Sequence, residues 1–303
     1  MDTFALIFGY AYQYFDNVGF LVLSASGLII IFGMMGVINM AHGELMMIGA
    51  YITAFSYYAG VPAPIAVIFA GVGAGLVGMV LERLVIRYFY KQLLSSLVVT
   101  WGLSLMFSQG FLLIFGPSIL NLPTPFGGFP ISEQTFGSYR LVLFGCALAL
   151  VAGIWALFTF TRFGTQARAT MEDPAMADAL GINTRQVYSL TFGLGCALGG
   201  IAGGLFAMTA TISPFFGVNY TPLAFITVVI GGGANAITGL IASALALAGV
   251  QTVVVNAFNQ YVGYISMMAA AFLILLALPR GISDYLERRK LRAVRASRPS
   301  PHG

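Results

Sequence analysis

Asn39, His42 and Glu44 fall within six residues of one another in the stretch GVINMAHGELMMIGAY (36–51), with apolar runs on both sides. An amide, an imidazole and a carboxyl this close together could bind a small polar solute, relay a proton or hold a metal. A zinc-protease site needs H-E-x-x-H, and HGELM lacks the second histidine. The only other histidine, His302, lies in the tail. No nucleophile–base constellation accompanies the group, so an intramembrane enzyme ranks last among the function classes. An ionisable group buried in a membrane is costly and functional by default, whereas one at the rim only caps a helix. Glu44 suits the first turn of a helix starting near Leu45, where the helix dipole favours negative charge. The three residues are read as a structural or gating group at the inner mouth, in preference to direct substrate contact.

A second glycine-interrupted segment, VVIGGGANAITG (228–239), pairs Gly231, Gly232 and Gly233 with Asn235. Broken apolar segments in corresponding halves of a chain point to a substrate site at the repeat interface of transporters. The same glycines would equally serve tight helix packing or a turn. Both readings stand.

The elements that must position these residues follow from composition. Hydrophobic residues make up 59% of the 303 and charged residues only 8%. A soluble domain carries roughly a quarter charged residues. Several apolar runs reach the roughly 20 residues that a helix needs to cross about 30 Å of hydrocarbon. Long unbroken runs exclude a transmembrane barrel, whose strands alternate. The expected fold is all-α, a polytopic transmembrane bundle of eight to ten spans with discontinuous Gly-rich segments. Apolar spans are read at 18–37, 45–59, 63–81, 93–116, 140–160, 189–211, 221–232, 236–256 and 262–279, the second and seventh too short to count with certainty. Residues 1–282 form the transmembrane domain and 283–303 a basic tail.

The charge distribution sets the orientation. Nothing positive precedes Arg83, so no signal peptide is expected. Every one of the 14 positive residues except Arg140 lies in the loop 82–92, the loop 161–188 or the tail beyond 279. All three come out on one side, which the positive-inside rule makes cytoplasmic. The N-terminus then lies outside and the C-terminus inside. The stretch 117–139 faces outward as an ordered loop or short re-entrant piece. In the tail, Asp284 and Arg288 form an i,i+4 pair, and the basic residues suit anionic membrane lipid rather than nucleic acid. Cys146 and Cys196 sit in apolar segments and are expected to stay unpaired.

The long loop 161–188 carries a helix signature of its own. Asp173 suits the N-cap, Pro174 the first helical position and Gly181 the C′ position. Ala175, Met176, Ala179 and Leu180 give the short helix a small apolar face. Small residues favour docking into a groove on a soluble partner over lying in lipid. No phosphate-binding G-x-x-x-x-G-K-[ST] occurs, so any ATP that drives transport is bound by another chain.

Two stretches, GLIIIFGMMGVINMAHGELMMIGAYITA (27–54) and RATMEDPAMADALGINTRQVYSLTFGLGCALGGIAGGL (168–205), closely resemble LivH-type permeases, with VVIGGGANAITGLI (228–241) and LPRGI (278–282) extending the likeness. These are membrane subunits of binding-protein-dependent ABC importers for branched-chain amino acids. The late stretch departs from the family pattern in lacking a proline over 236–239. VINMAHGEL and VVTWGLSL (98–105) are at least as similar to the urea-type permeases of the same superfamily. The resemblance implies a LivM-type second permease, two ATPase subunits that bind ATP and Mg, and a periplasmic substrate-binding protein. It implies residence in the bacterial inner membrane, and makes the helix near 174–180 the coupling helix. This chain itself would bind no cofactor and hold no metal. A different class, an ion-coupled secondary transporter or channel, needs intramembrane carboxylates, and Glu44 is the lone candidate.

Overall fold

The structure, a computed structural model, describes residues 3–90, 92–117, 121–131, 134–232, 235–279 and 281–296. Its helices are α1 (Thr3–Met35), α2 (His42–Tyr58), α3 (Ala63–Leu84), α4 (Leu93–Phe115), α5 (Ser138–Phe160), α6 (Arg162–Glu172), α7 (Pro174–Ala179), α8 (Thr184–Phe206), α9 (Phe216–Gly231), α10 (Ala236–Ala257), α11 (Gln260–Ala277) and α12 (Gly281–Ala296). A 3₁₀ turn, Ile86–Phe89, follows α3. Among the described residues seven helices are long and apolar enough to cross a membrane: α1, α3, α4, α5, α8, α10 and α11. The two short apolar segments become α2, of 17 residues, and α9, of 16, the latter with Pro222 inside it.

Two local expectations need correction, and one pair of alternatives is narrowed. The first span begins not at residue 18 but at Thr3, because Tyr12, Gln13, Asp16 and Asn17 find polar partners on neighbouring elements. Asp16 pairs with Arg140 of α5 at 2.6 Å, and Asn17 donates to Thr252 of α10 at 3.0 Å. At 33 residues α1 is about 50 Å long, well beyond one hydrocarbon thickness. The described end of the 117–139 stretch takes the ordered-loop form: β1 (Gly128–Ile131) pairs antiparallel with β2 (Gln134–Gly137), Phe129 facing Phe136 across the register. Phe136 stacks edge-on against Tyr12 and Phe8, and the Tyr12 hydroxyl donates to the Gly137 carbonyl. Finally, the 161–188 loop holds two helices, α6 as well as α7.

The centre is α8, with α1, α2 and α3 packed on it. Lipid tails are as apolar as leucine, so helices in a membrane associate through close van der Waals fit, which small residues permit. The sequence TFGLGCALGGIAGGLF supplies it. Gly195 lies on Gly27 of α1, Gly203 on the backbone of Met46 in α2, and Gly200 on Ala70 and Ala74 of α3. Helices α4, α5 and α11 are peripheral, most of their side chains turned outward. Both cysteines are free, Cys196 packing on Gly78 between α8 and α3.

A methyl at position 203 would run into the Met46 carbonyl, whereas one at Gly153 on α5 meets nothing within 4 Å. Gly203→Ala is therefore expected to destabilise the protein by about 1–3 kcal/mol, the usual cost of overpacking. Gly153→Ala should be neutral or up to about 1 kcal/mol stabilising through helix propensity. Thermal unfolding of the two variants in detergent checks this, and equal shifts would show that α8 and α2 do not meet at Gly203.

Candidate functional site

The chain leaves α1 at Met35, turns at Gly36 with φ +61°, and doubles back through residues 37–41 before α2 begins. The turn is polar on its inside. Asn39 Oδ1 accepts the Ala41 N–H at 3.1 Å, and its carbonyl accepts the His42 N–H at 3.3 Å. Thr100 of α4 accepts the Met40 N–H at 3.0 Å. These bonds occupy backbone groups that hydrocarbon would leave unsatisfied.

The return carries His42 deep into the bundle. Its Nε2 donates to the Ser24 carbonyl at 3.0 Å, and its ring edge lies against Gly27 and Gly199. Ser24 stands eleven residues before the end of α1, so α2 starts about 16 Å in from that end. Asn39, His42 and Glu44 are 2%, 0% and 1% exposed. They sit inside the bundle and not at its mouth, because α1 continues past their level while the connection re-enters. Glu44 does occupy the first turn of α2, as expected, but the helix starts at His42, not near Leu45.

Glu44 meets a partner that the sequence reading overlooked. Ser104 and Ser108 of α4 each donate to Glu44 Oε1 at 3.0 Å. With Ser96 and Thr100 they form a hydroxyl stripe at four-residue spacing, one face of a helix whose other sides are apolar. That spacing, in LLSSLVVTWGLSLMFS, was the available signal. Among the described residues several buried polar atoms here have no partner: Glu44 Oε2 and Tyr51 Oη on the face of α2 toward α4, Asn39 Nδ2 in the turn, and His42 Nδ1 and Thr53 Oγ1 on the opposite face, toward Gly199 and Gly204 of α8. Buried polar groups are nearly always hydrogen-bonded, so the three on the α4 side call for a function. Tyr51, two turns beyond Glu44, adds an aromatic wall with Phe111 and Phe115 at about 5 Å between ring centres.

The late glycines go elsewhere. Gly231 packs on Gly239, tightening the hairpin between α9 and α10, and Gly232, at φ +78°, receives Gly281 of α12. Asn235 caps α10, its Oδ1 accepting the Thr238 N–H at 3.2 Å, and is exposed. Gly233 lies outside the described residues. Gly33 of α1 meets Ala236 of the second segment. The group at 39–44 is built with α1, α4 and α8, and with Gly217 and Thr221 of α9, on which Gly43 packs.

The α7 signature forms as its residues dictate. Asp173 Oδ1 accepts from the Ala175 and Met176 N–H groups at 2.9 and 3.1 Å. Gly181 adopts φ +84°, its N–H bonding to Asp178 and that of Ile182 to Ala177, the paired bonds of a Schellman end. Ala177 faces inward, while Ala175, Met176, Ala179 and Leu180 are exposed. Asp178 accepts the Thr184 hydroxyl at 2.9 Å, which ties the helix to the start of α8.

A model of the family described as branched-chain amino acid transport system / permease component matches residues 11–278. The chain is 30% identical over 288 residues to the high-affinity branched-chain amino acid transport system permease protein LivH of Salmonella typhimurium, across 89% of this chain and 92% of that protein. It is 31% identical over 292 residues to LivH of Escherichia coli K12, across 89% and 92%. BraD of Pseudomonas aeruginosa, a permease protein of the same printed description, is 27% identical over 286 residues, across 89% and 93%. No solved structure matches the chain. This chain belongs to that permease family. It is a multi-pass membrane subunit of the ABC-importer class, a class that works with ATPase and binding-protein partners.

In the permease, the serines join a thinly packed outer helix to the buried carboxyl of α2. Bonds to a charged group are worth about 1.5–3 kcal/mol each. Glu44→Gln combined with Ser104→Ala and Ser108→Ala is therefore expected to be non-additive, with a coupling of about 0.5–3 kcal/mol. Chemical or thermal unfolding of the single, double and triple variants measures it. Strict additivity would mean that Glu44 and α4 do not interact.

Proposed function

We propose that this permease carries branched-chain or other small amino acids across the bacterial inner membrane along the polar seam between α2 and α4. It would act beside a LivM-type permease, above two ATPase subunits, with a periplasmic binding protein delivering the solute. The observation that carries this reading is the unpartnered trio Asn39 Nδ2, Glu44 Oε2 and Tyr51 Oη on the α4 side of this segment. Glu44 Oε2 offers an acceptor to an ammonium group, Asn39 Nδ2 a donor to a carboxylate, and the Tyr51 cluster an apolar wall to an aliphatic side chain. A zwitterion with an apolar substituent complements all three. The N-terminus lies outside and the arginine-rich end in the cytoplasm by the positive-inside rule.

On this reading α7 is the coupling helix, and Asp173, Pro174 and Gly181 shape its two ends. Its exposed Ala175, Met176, Ala179 and Leu180 dock into an ATPase groove, and the Asp178–Thr184 bond passes the stroke to α8. Helix α8 bears on His42 and Met46 through Gly199 and Gly203, so a displacement of its first turns reaches the seam. Gly231, Gly232 and Asn235 shape the α9–α10 turn on this view, as supports of the pathway.

The test is ATP-dependent uptake of labelled leucine and, separately, urea by the complete transporter in liposomes. Glu44→Gln should lower leucine uptake by about tenfold, the loss of one charged hydrogen bond. Ala179→Glu should abolish uptake and release the ATPases on purification. Urea uptake with the same ATP dependence would keep the mechanism and change the substrate. Uptake by this chain alone, indifferent to ATP, would overturn the importer reading in favour of a channel or ion-coupled carrier.

A further inference from the structure

A cleft of about 730 Å³ opens at the arginine-rich end, between the end of α3 with its 3₁₀ turn and the start of α8. It is separate from the α2–α4 seam, and its volume is in the range of small-molecule sites. Arg83, Arg87 and Arg185 line it, and among the described residues none of them has a carboxylate partner within 4 Å. Arg87 is braced by the Tyr88 hydroxyl at 2.8 Å and lies over that ring. The first turn of α8, capped by Asn183, also opens into the cleft and favours negative charge.

The floor is built from two buried side chains. Ser189 is 4% exposed and its Oγ has no protein partner. Glu82 is 3% exposed and accepts a hydrogen bond from the Tyr90 hydroxyl. Burial and then that carboxyl hold the Tyr90 phenol protonated, well above its ordinary range, so Tyr90 remains the donor. A carboxylate offers about four acceptor positions, and the Tyr90 hydroxyl takes one of them. Three cations at the rim and an acceptor on the floor complement a phosphate ester with a hydrogen-bond donor on its far arm.

The surroundings indicate where such a ligand comes from. Glu82 lies in the last turn of α3 and Ser189 in the second turn of α8, two helices long and apolar enough to span, so the floor is read at membrane level and the rim at its surface. On the same two helices Val80 and Leu84 (68% exposed) lie within a turn of the cleft residue Arg83, and Leu190 lies a turn beyond the cleft residue Gln186. An apolar strip next to a cationic cleft at the span ends fits a lipid, with acyl chains on the strip and headgroup inside. Basic pockets between membrane helices on the cytoplasmic side hold lipid headgroups by this chemistry.

We propose that this cleft is a phospholipid site of the cytoplasmic leaflet: Arg83, Arg87 and Arg185 take the headgroup phosphate, and Glu82 takes an N–H or O–H of its polar arm. Phosphatidylethanolamine and phosphatidylglycerol carry such a donor, and phosphatidylcholine does not. The proposal is independent of the transported solute.

The complete transporter, reconstituted in nanodiscs with equal parts of the three lipids, is released into a native mass spectrometer and its retained lipids are counted. Retention of the ethanolamine and glycerol lipids over the choline lipid is expected. Arg83→Ala with Arg185→Ala, both exposed and free of internal partners, should weaken retention by about tenfold, the scale of one charged hydrogen bond. Glu82→Gln, checked for folding by its melting temperature, should reduce the discrimination against choline. Three results would overturn the site: retention unchanged in the arginine variant, loss of the ATPase subunits there with lipid retention intact, or displacement of the lipid by excess inorganic phosphate. The second would give the cleft to an acidic protein segment and the third to a soluble phosphate ester.

Discussion

Everything in this bundle depends on how closely α8 approaches its neighbours. Helices in hydrocarbon gain nothing by hiding leucines from one another, so backbone proximity must supply the attraction. Gly195 against Gly27, Gly203 against Met46 and Gly200 against Ala70 bring α8 onto α1, α2 and α3. The same intimacy makes room for an imidazole inside the stack. His42 fits only because Gly27 and Gly199 present no side chain to it, and the Ser24 carbonyl accepts its proton. A helix that begins at this depth is thus a consequence of the packing.

Starting a helix inside a membrane exposes amide groups that have no water to bind. The polar residues of 39–44 and of α4 answer that cost together. Asn39 closes the turn, Thr100 takes Met40, and Ser104 and Ser108 fix Glu44 beside the new helix end, where its charge suits the dipole. Half of this work comes from α4, a helix that otherwise turns apolar side chains outward. Hydrogen bonds and the packing of Phe111 and Phe115 on Tyr51 together hold α4 to this part of the structure.

What could be read from the sequence was what is decided locally. The caps of α7 need only Asp173, Pro174 and Gly181 in order, and they form as written; Asp284 and Arg288 likewise meet at 2.8 Å within one helix. The apolar runs gave the long helices because hydrocarbon thickness sets their length. The expectations that failed depend on distant partners. The first 15 residues of α1 look too polar for a span until Arg140 and Thr252 are seen beside them. The depth of His42 is set by Ser24 and Gly199, and the meaning of the hydroxyl stripe by Glu44, 60 residues away in the chain. Helix α6 was missed because its buried face, Gly164, Ala167 and Thr170, is too small to stand out as apolar.

These two kinds of attachment set which part of the permease can move. Close-packed interfaces switch between discrete arrangements; they do not bend continuously. If α7 is the coupling helix proposed above, a push on it reaches α8 through Asp178 and Thr184, and α8 is fused by its glycines to α1, α2 and α3. That unit must move as one body. Helix α4 is different, since the bonds of its Thr100, Ser104 and Ser108 to Met40 and Glu44 can be exchanged for bonds to a passing solute at little net cost. On the proposed mechanism the seam therefore opens by parting α4 from a rigid core, and the solute's own polar groups replace the serines at Glu44 while it does.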